Sequence, residues 1–226
     1  MNSDLDTTLI NIAKIDGWLE TQEIRSLYTI ASTAVKEMRR EEFIIEIGSW
    51  KGKSTITLAL ACKNRAKGKL LAIDPCKGTS AHAFLQTQDT SEELTKNLQK
   101  FGVEQFVEII LKTSKQAFNR LRGIKSKLIF VDGDHAYPSV LFDVTHWSTT
   151  LVNNGYLLLH DTVNHSGPRT VFFQILLHPR YRYLGTYKDL SCFQKVATVS
   201  IRQWLKKIYA FLVFKALFKI YTPAVS

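Results

Sequence analysis

The sequence predicts an α/β fold built on a parallel sheet, and three features carry that expectation. Short, continuous apolar runs recur along the chain with helical stretches between them. The first run leads through a glycine turn straight into a helix, and later runs end on acidic residues. Strands joined by helical crossovers make right-handed βαβ units, and continuously apolar strands are those covered on both faces.

Taken in order, residues 5–40 read as helical, with Trp18, Leu19, Ile24, Leu27, Tyr28, Ile30, Ala31 and Val35 as the apolar positions. Residues 43–47 form the first strand and 54–62 a helix, and Gly68 breaks the chain before a second strand at 70–73. A polar segment at 76–89 precedes a helix over 91–101, for which Ser91 is the expected N-cap. A third strand follows at 106–111, a short helix at 114–121 and a fourth strand at 127–131. A helix is expected over 137–151, with Asn153-Asn154-Gly155 turning it into a fifth strand at 156–159. A helix near 168–177 and weaker strands near 182–187 and 192–199 complete the body. No repeat or low-complexity stretch intervenes, so residues 1–199 are expected to form one domain, opened by a helical segment over 1–40, with a separate helix at 200–226.

The composition, 45% hydrophobic and 22% charged over 226 residues, is that of a globular protein able to bury a sizeable core. Cys62, Cys76 and Cys192 form neither a metal-ligand pattern nor a disulfide framework. The start, Met1-Asn2-Ser3-Asp4-Leu5-Asp6, is acidic and lacks the apolar core of a signal peptide, so the cytoplasm is the expected location. The net charge is +10, but no Asp or Glu follows Asp189, and six lysines and arginines lie beyond it. The rest of the body is only mildly basic, which argues against a nucleic-acid partner.

The stretch Glu46-Ile47-Gly48-Ser49-Trp50-Lys51-Gly52-Lys53-Ser54-Thr55 is the central motif. A phosphate-binding loop needs four residues between its first glycine and the Gly-Lys-Ser ending, and Gly48 and Gly52 enclose three. A dinucleotide fingerprint fails as well, because Trp50 stands at the second glycine position. An acid before a compact glycine turn suits a cationic ligand without phosphate. S-adenosylmethionine, with its sulfonium and ammonium groups, has that chemistry.

Acids stand at several strand ends, where ligands bind in open parallel sheets: Asp74, then Asp132 and Asp134, then Asp161. Each alone reads equally as a cap or turn residue. Together they would repel one another unless cations share the site. Asp74 is placed to accept hydrogen bonds from ribose hydroxyls, and Asp132, Asp134 and Asp161 could gather Mg²⁺ or a similar hard cation. His135 or His160 could act as a general base near neutral pH, or be simple turn histidines.

With these residues the chain resembles the class I S-adenosylmethionine-dependent methyltransferases, within them the group of macrocin- and cephamycin-type O-methyltransferases. Further carriers of the resemblance are Gly17-Trp18-Leu19, Ala72-Ile73-Asp74-Pro75, Lys112-Thr113-Ser114, Val131-Asp132-Gly133-Asp134-His135-Ala136-Tyr137, Asp143 with Trp147, and Gly155 with His160-Asp161. The resemblance implies a Rossmann-like, doubly wound, seven-stranded sheet of order 3-2-1-4-5-7-6 with strand seven antiparallel. It implies that Glu46, Gly48, Ser49 and Ser54 line the cofactor's methionine end, that Asp74 holds the ribose, and that Ser114 lies near the adenine. Gly52 and Asp132 complete the expected cofactor-binding set. A divalent cation such as Mg²⁺ would sit on Asp132, Asp161 and His160, although some metal-using relatives carry Glu-Asp or Asp-Asn where this chain has His160-Asp161. The implied reaction is methyl transfer to a hydroxyl of a small molecule or glycan, with His135 or Asp134 taking the proton. Two other readings stand beside it. Asp132-Gly133-Asp134 is also the D-x-D of metal-dependent nucleotide-sugar glycosyltransferases, and a membrane-associated protein could keep the fold without catalysis.

The tail is helix-competent over 204–221, but its uninterrupted apolar run, 208–214, falls short of the roughly 20 residues that span a bilayer. Lysines at both ends and aromatics throughout suit a basic amphipathic helix at an anionic membrane surface. A helix packed on the body or on a second subunit is the competing expectation.

Overall fold

The computed structural model describes residues 3–78 and 89–221. Its helices are α1 (Ser3–Ala13), α2 (Thr21–Glu37), α3 (Lys53–Arg65), α4 (Ser91–Phe101), α5 (Ser114–Leu121), α6 (Tyr137–Trp147), α7 (Ser166–Leu177) and α8 (Ile201–Tyr221). Its strands are β1 (Glu42–Ile47), β2 (Leu70–Ile73), β3 (Val107–Ile110), β4 (Lys125–Val131), β5 (Leu151–Leu159), β6 (Tyr181–Tyr187) and β7 (Leu190–Lys195). They form one seven-stranded sheet of order β3-β2-β1-β4-β5-β7-β6, in which β7 runs antiparallel to both of its neighbours. This is the topology that the sequence resemblance implies.

The sheet is buried on both faces, and the period of two along each strand sorts its residues between two cores. Ile44, Leu128, Phe130 and Leu158 face the layer of α1–α4. Ile45, Ile47, Ile129, Val131, Leu157 and Leu159 face α5–α8, where Trp147, Phe172 and Phe193 are fully enclosed. Each such aromatic stabilises the fold by about 2–3 kcal/mol. Every residue of α3 from Lys53 to Cys62 is buried, because α3 lies against the sheet beneath α2.

Four expectations about local structure need correction. The helical stretch at 5–40 is two helices, broken at 14–20 around Gly17, whose φ of 140° no ordinary side chain adopts readily. Ser91 is the first residue of α4, not its cap; Asp89 Oδ1 accepts from the Ser91 N–H at 2.9 Å and the Ser91 hydroxyl at 2.6 Å. The helix expected to reach Leu151 ends at Trp147, followed by turn bonds from Thr149 N to the His146 carbonyl and from Thr150 N to the Trp147 carbonyl. Asn153-Asn154-Gly155 does not separate helix from strand but lies inside β5. Pairing with β4 shifts register there, and Asn154 adopts φ 61°, so the turn-forming residues make an irregularity within the strand. Of the polar segment expected at 76–89, residues 79–88 lie outside the described residues.

Candidate active site

The register of the parallel strands brings the site together. Ile47 pairs with Ile73 and Val131, and Val131 pairs with Leu159. The next residue of each strand is Gly48, Asp74, Asp132 or His160, so four distant stretches of sequence end on one edge. A cavity of about 600 Å³ opens there, within the range of small-molecule sites.

The glycine turn fits against β4 with no spare room. Gly48 has φ 87°, and a Cβ on it would lie 2.1 Å from the Asp132 carbonyl oxygen. Asp74 ties the second strand to this turn: its Oδ2 accepts from the backbone N–H of Ser49 at 2.7 Å and Trp50 at 2.9 Å. Its Oδ1 accepts from Cys76 N at 2.7 Å. Gly48, Ser49, Ser54, Asp74, Ser114 and Asp132 all line the cavity.

Glu46 and Gly52 are placed differently from the others: neither is a cavity-lining residue. Glu46 is fully buried beneath the turn, its Oε2 accepting from the hydroxyls of Ser49 at 3.0 Å and Thr55 at 2.7 Å. Its Oε1 has no hydrogen-bond partner among the described residues. Burial pushes its carboxyl up to about 7, against the neighbouring hydroxyls that favour the charged form. Gly52 has φ 93° and caps the start of α3, close against Leu94.

The lysines of the apparent phosphate loop are structural ties. Lys53 Nζ donates to the Gly17 carbonyl at 2.6 Å, and Lys51 bridges Asp16 at 2.8 Å and Glu93 at 3.1 Å. They hold the α1–α2 connection over the turn, where the rings of Trp18 and Trp50 lie 5.4 Å apart.

Across the cavity lies a cluster of acids and imidazoles. His160, almost wholly buried, has Nε2 at 3.3 Å from Glu23 Oε1 and Nδ1 at 3.1 Å from Asp132 and 3.3 Å from Asp161. Neither ring nitrogen makes a well-aligned hydrogen bond, although the ion-pair distances are short. Burial alone would lower the His160 pKa, but the charge of Asp132 and the close carboxylates of Asp132, Asp161 and Glu23 raise it well above its ordinary value. Asp161 is held far below the usual carboxylate range: burial opposes ionisation, and the bonds from His135 and His160 overcome it. It also adopts φ 59°, uncommon for a residue with a side chain. His135 Nε2 lies 2.7 Å from Asp161 Oδ2, and its ring packs on that of His165 with centroids 4.0 Å apart. Asp134 also borders the cavity, but its carboxylate accepts from Ala136 N at 3.3 Å and the Ser139 hydroxyl at 2.8 Å, which fastens the start of α6. Asp132, by contrast, faces His160, its Oδ1 3.1 Å from Nδ1.

Ser114 donates to Asp143 Oδ1 and accepts from Trp147 Nε1 at 2.8 Å, so α5 and α6 are joined at the cavity wall. Burial raises the Asp143 carboxyl to about 7 against this bond.

Two contributors escaped the sequence reading. Glu23 comes from α2, where its Oε2 accepts from Glu20 N at 2.8 Å and looks like a mere capping residue. Only the fold shows that its Oε1 reaches His160 and also accepts from Asp189 N at 2.9 Å. His165 was legible in principle, since it stands four residues after Asp161 at the start of α7.

A 3-2-1-4-5-7-6 sheet with an acid beneath its glycine turn and another after β2 is the architecture of the α/β methyltransferases. The chain belongs to the methyltransferase-domain family: the family model described as "Methyltransferase domain" matches residues 45–162, just over half its length. It is an S-adenosylmethionine-dependent methyltransferase. No curated protein matches it in sequence. Among solved structures it is similar to the O-methyltransferase NovP, at TM-score 0.66 and 12% identity over 78% of this chain and 80% of that one. It is also similar to the O-methyltransferase TomG of Streptomyces achromogenes, involved in tomaymycin synthesis and solved with S-adenosylmethionine, at TM-score 0.60 and 15% identity over 87% and 92%. An rRNA methylase from Streptococcus thermophilus matches at TM-score 0.54 and 14% identity over 80% and 99%. One fold thus carries acceptors of very different size, and the acceptor has to be read from the site.

Proposed function

We propose that this chain transfers the methyl group of S-adenosylmethionine to a hydroxyl of a small molecule or sugar. The observation that carries this reading is the cavity itself, with Asp74, Ser49 and Ser114 on one wall and the Asp132–His135–Asp161–His165 cluster on the other. The residues suit the cofactor: Asp74 can accept from ribose hydroxyls, and the acid-rich wall with the unpartnered Oε1 of Glu46 behind it favours a cation over a phosphate. The bound cofactor supplies an electrophilic methyl on its sulfonium.

The protein's part is to position the acceptor oxygen in line and remove its proton. His135 is better placed for this than Asp134. It borders the cavity, and its Nε2 lies 2.7 Å from Asp161 Oδ2; burial would lower its pKa, but Asp161 and the charge of Asp132 raise it and so strengthen its hold on a proton. Asp134 is occupied with the start of α6.

Asp132, His160 and Asp161 offer ligand atoms within 4.8 Å of one another. Glu23 on the far nitrogen of His160 is the kind of outer carboxylate that orients a metal-binding imidazole. Two carboxylates and one imidazole could hold a hard divalent cation such as Mg²⁺ or Mn²⁺, with water completing its shell. A cation held there would lower the pKa of the acceptor hydroxyl. No observation favours a nucleotide-sugar donor, because Lys53 is committed to Gly17 and no phosphate cradle remains at the turn.

A thermal-shift and metal-titration pair tests the reading. S-adenosylhomocysteine at about 100 times its Kd should add about 2.7 kcal/mol, a rise of several degrees in Tm, whereas UDP-glucose should add nothing. The opposite ranking overturns the proposal. Calorimetric titration with Mn²⁺ should show one site that Asp132→Asn abolishes; unchanged binding in the variant removes Asp132 from the metal set.

A further inference from the structure

The outward face of α8 has no role in the methyltransferase site. Ile201, Leu205, Ile208, Tyr209 and Leu212 are each between 45% and 81% exposed. At about 100° of turn per residue they fall within one arc of roughly 100°. The opposite arc carries the packing on the body, although Leu217 near it stays 45% exposed. Phe211 packs on Phe173 at 5.3 Å, Phe214 on Phe172 at 5.1 Å, Ala210 is buried, and Lys207 Nζ donates to the His178 carbonyl at 2.7 Å. The helix is thus anchored to α7 and β6 by one face, and its apolar stripe contributes nothing to that packing.

We propose that this stripe docks on an anionic lipid bilayer, with α8 lying in the plane of the headgroups. Charge decides the occupant. Arg202 borders the stripe along one edge and Lys215 along the other, both exposed, while Lys206 turns to the body, donating to the Leu184 carbonyl at 3.1 Å; α8 contains no acid. Lysine and arginine stems at the borders of an apolar stripe let the side chains sink while their charges stay at the headgroups. A second copy of the chain would place like charge against like, since the sequence carries +10 and no Asp or Glu after Asp189. Insertion across the bilayer is not the mode, because among the described residues no helix is long and apolar enough to span it. Attachment by a face that the fold does not use would hold the catalytic domain at a surface without altering it.

Co-sedimentation of the full chain with vesicles tests this without any assay of methyl transfer. Binding is expected to phosphatidylcholine vesicles containing phosphatidylglycerol, to be weak with phosphatidylcholine alone, and to fall as salt rises. Leu205→Glu/Leu212→Glu and Arg202→Glu/Lys215→Glu should each weaken partitioning by at least about tenfold. Both pairs change exposed side chains, so Tm and S-adenosylhomocysteine binding should stay at the wild-type values. Three results overturn the proposal: no binding to the anionic vesicles, equal partitioning of wild type and variants, or a dimer in light scattering that the leucine variants convert to monomer.

Discussion

Replacing Glu46 with Gln tests whether the buried acid beneath the glycine turn carries a charge penalty. The native carboxyl is raised from 4.5 to about 7, chiefly by burial. At 1.36 kcal/mol per pKa unit, ionising it in the folded protein therefore costs about 3 kcal/mol. A group raised on folding contributes stability that is complete below its unfolded value and lost as pH climbs through its folded value. Wild type should accordingly lose about 3 kcal/mol relative to Glu46→Gln between pH 4.5 and about 7, with no further divergence above that. The Gln carbonyl can still accept from Ser49 and Thr55, so any constant offset between the proteins should be about 1 kcal/mol. Urea unfolding of both proteins across this range reads the difference, and contributions from other acids cancel. Parallel curves, differing by a constant at every pH, would refute the assignment of a raised carboxyl to Glu46.

Two further substitutions probe the same corner. Asp74→Ala removes the ribose acceptor and frees the Ser49 and Trp50 amides; losing two ribose hydrogen bonds to a charged group, about 3 kcal/mol, predicts roughly a hundredfold weaker S-adenosylhomocysteine binding by calorimetry, and a change below about threefold would contradict it. Gly48→Ala places a methyl 2.1 Å from the Asp132 carbonyl at a positive φ, so it should cost about 3–5 kcal/mol in denaturant unfolding; near-wild-type stability would show that the turn and β4 can part freely.

Much of this molecule was legible because its signals are local. Apolar runs at 43–47, 70–73 and 127–131 gave the central strands, and the acids after them lie at the sheet edge where parallel strands bind ligands. The glycine spacing alone separates this turn from phosphate loops, and the commitment of Lys53 to the Gly17 carbonyl agrees with that separation. Local signals also misled. Apolar spacing ran through Gly17 and merged α1 with α2, and Asn153-Asn154-Gly155 read as a boundary where pairing with β4 keeps the chain in a strand.

What the sequence determined by itself was the order of strands and helices, the chemistry of the glycine turn and the set of acids at the strand ends. Their pairing was decided only by tertiary structure. Glu23 and His160 are far apart in the chain and meet because α2 packs beside the ends of β5 and β7. Asp134 and His135, adjacent in sequence, separate into a fastener of α6 and a partner of Asp161. Register within a sheet is set by burial of both faces, so it fixes which distant residues share an edge. No local pattern in the chain encodes that distance.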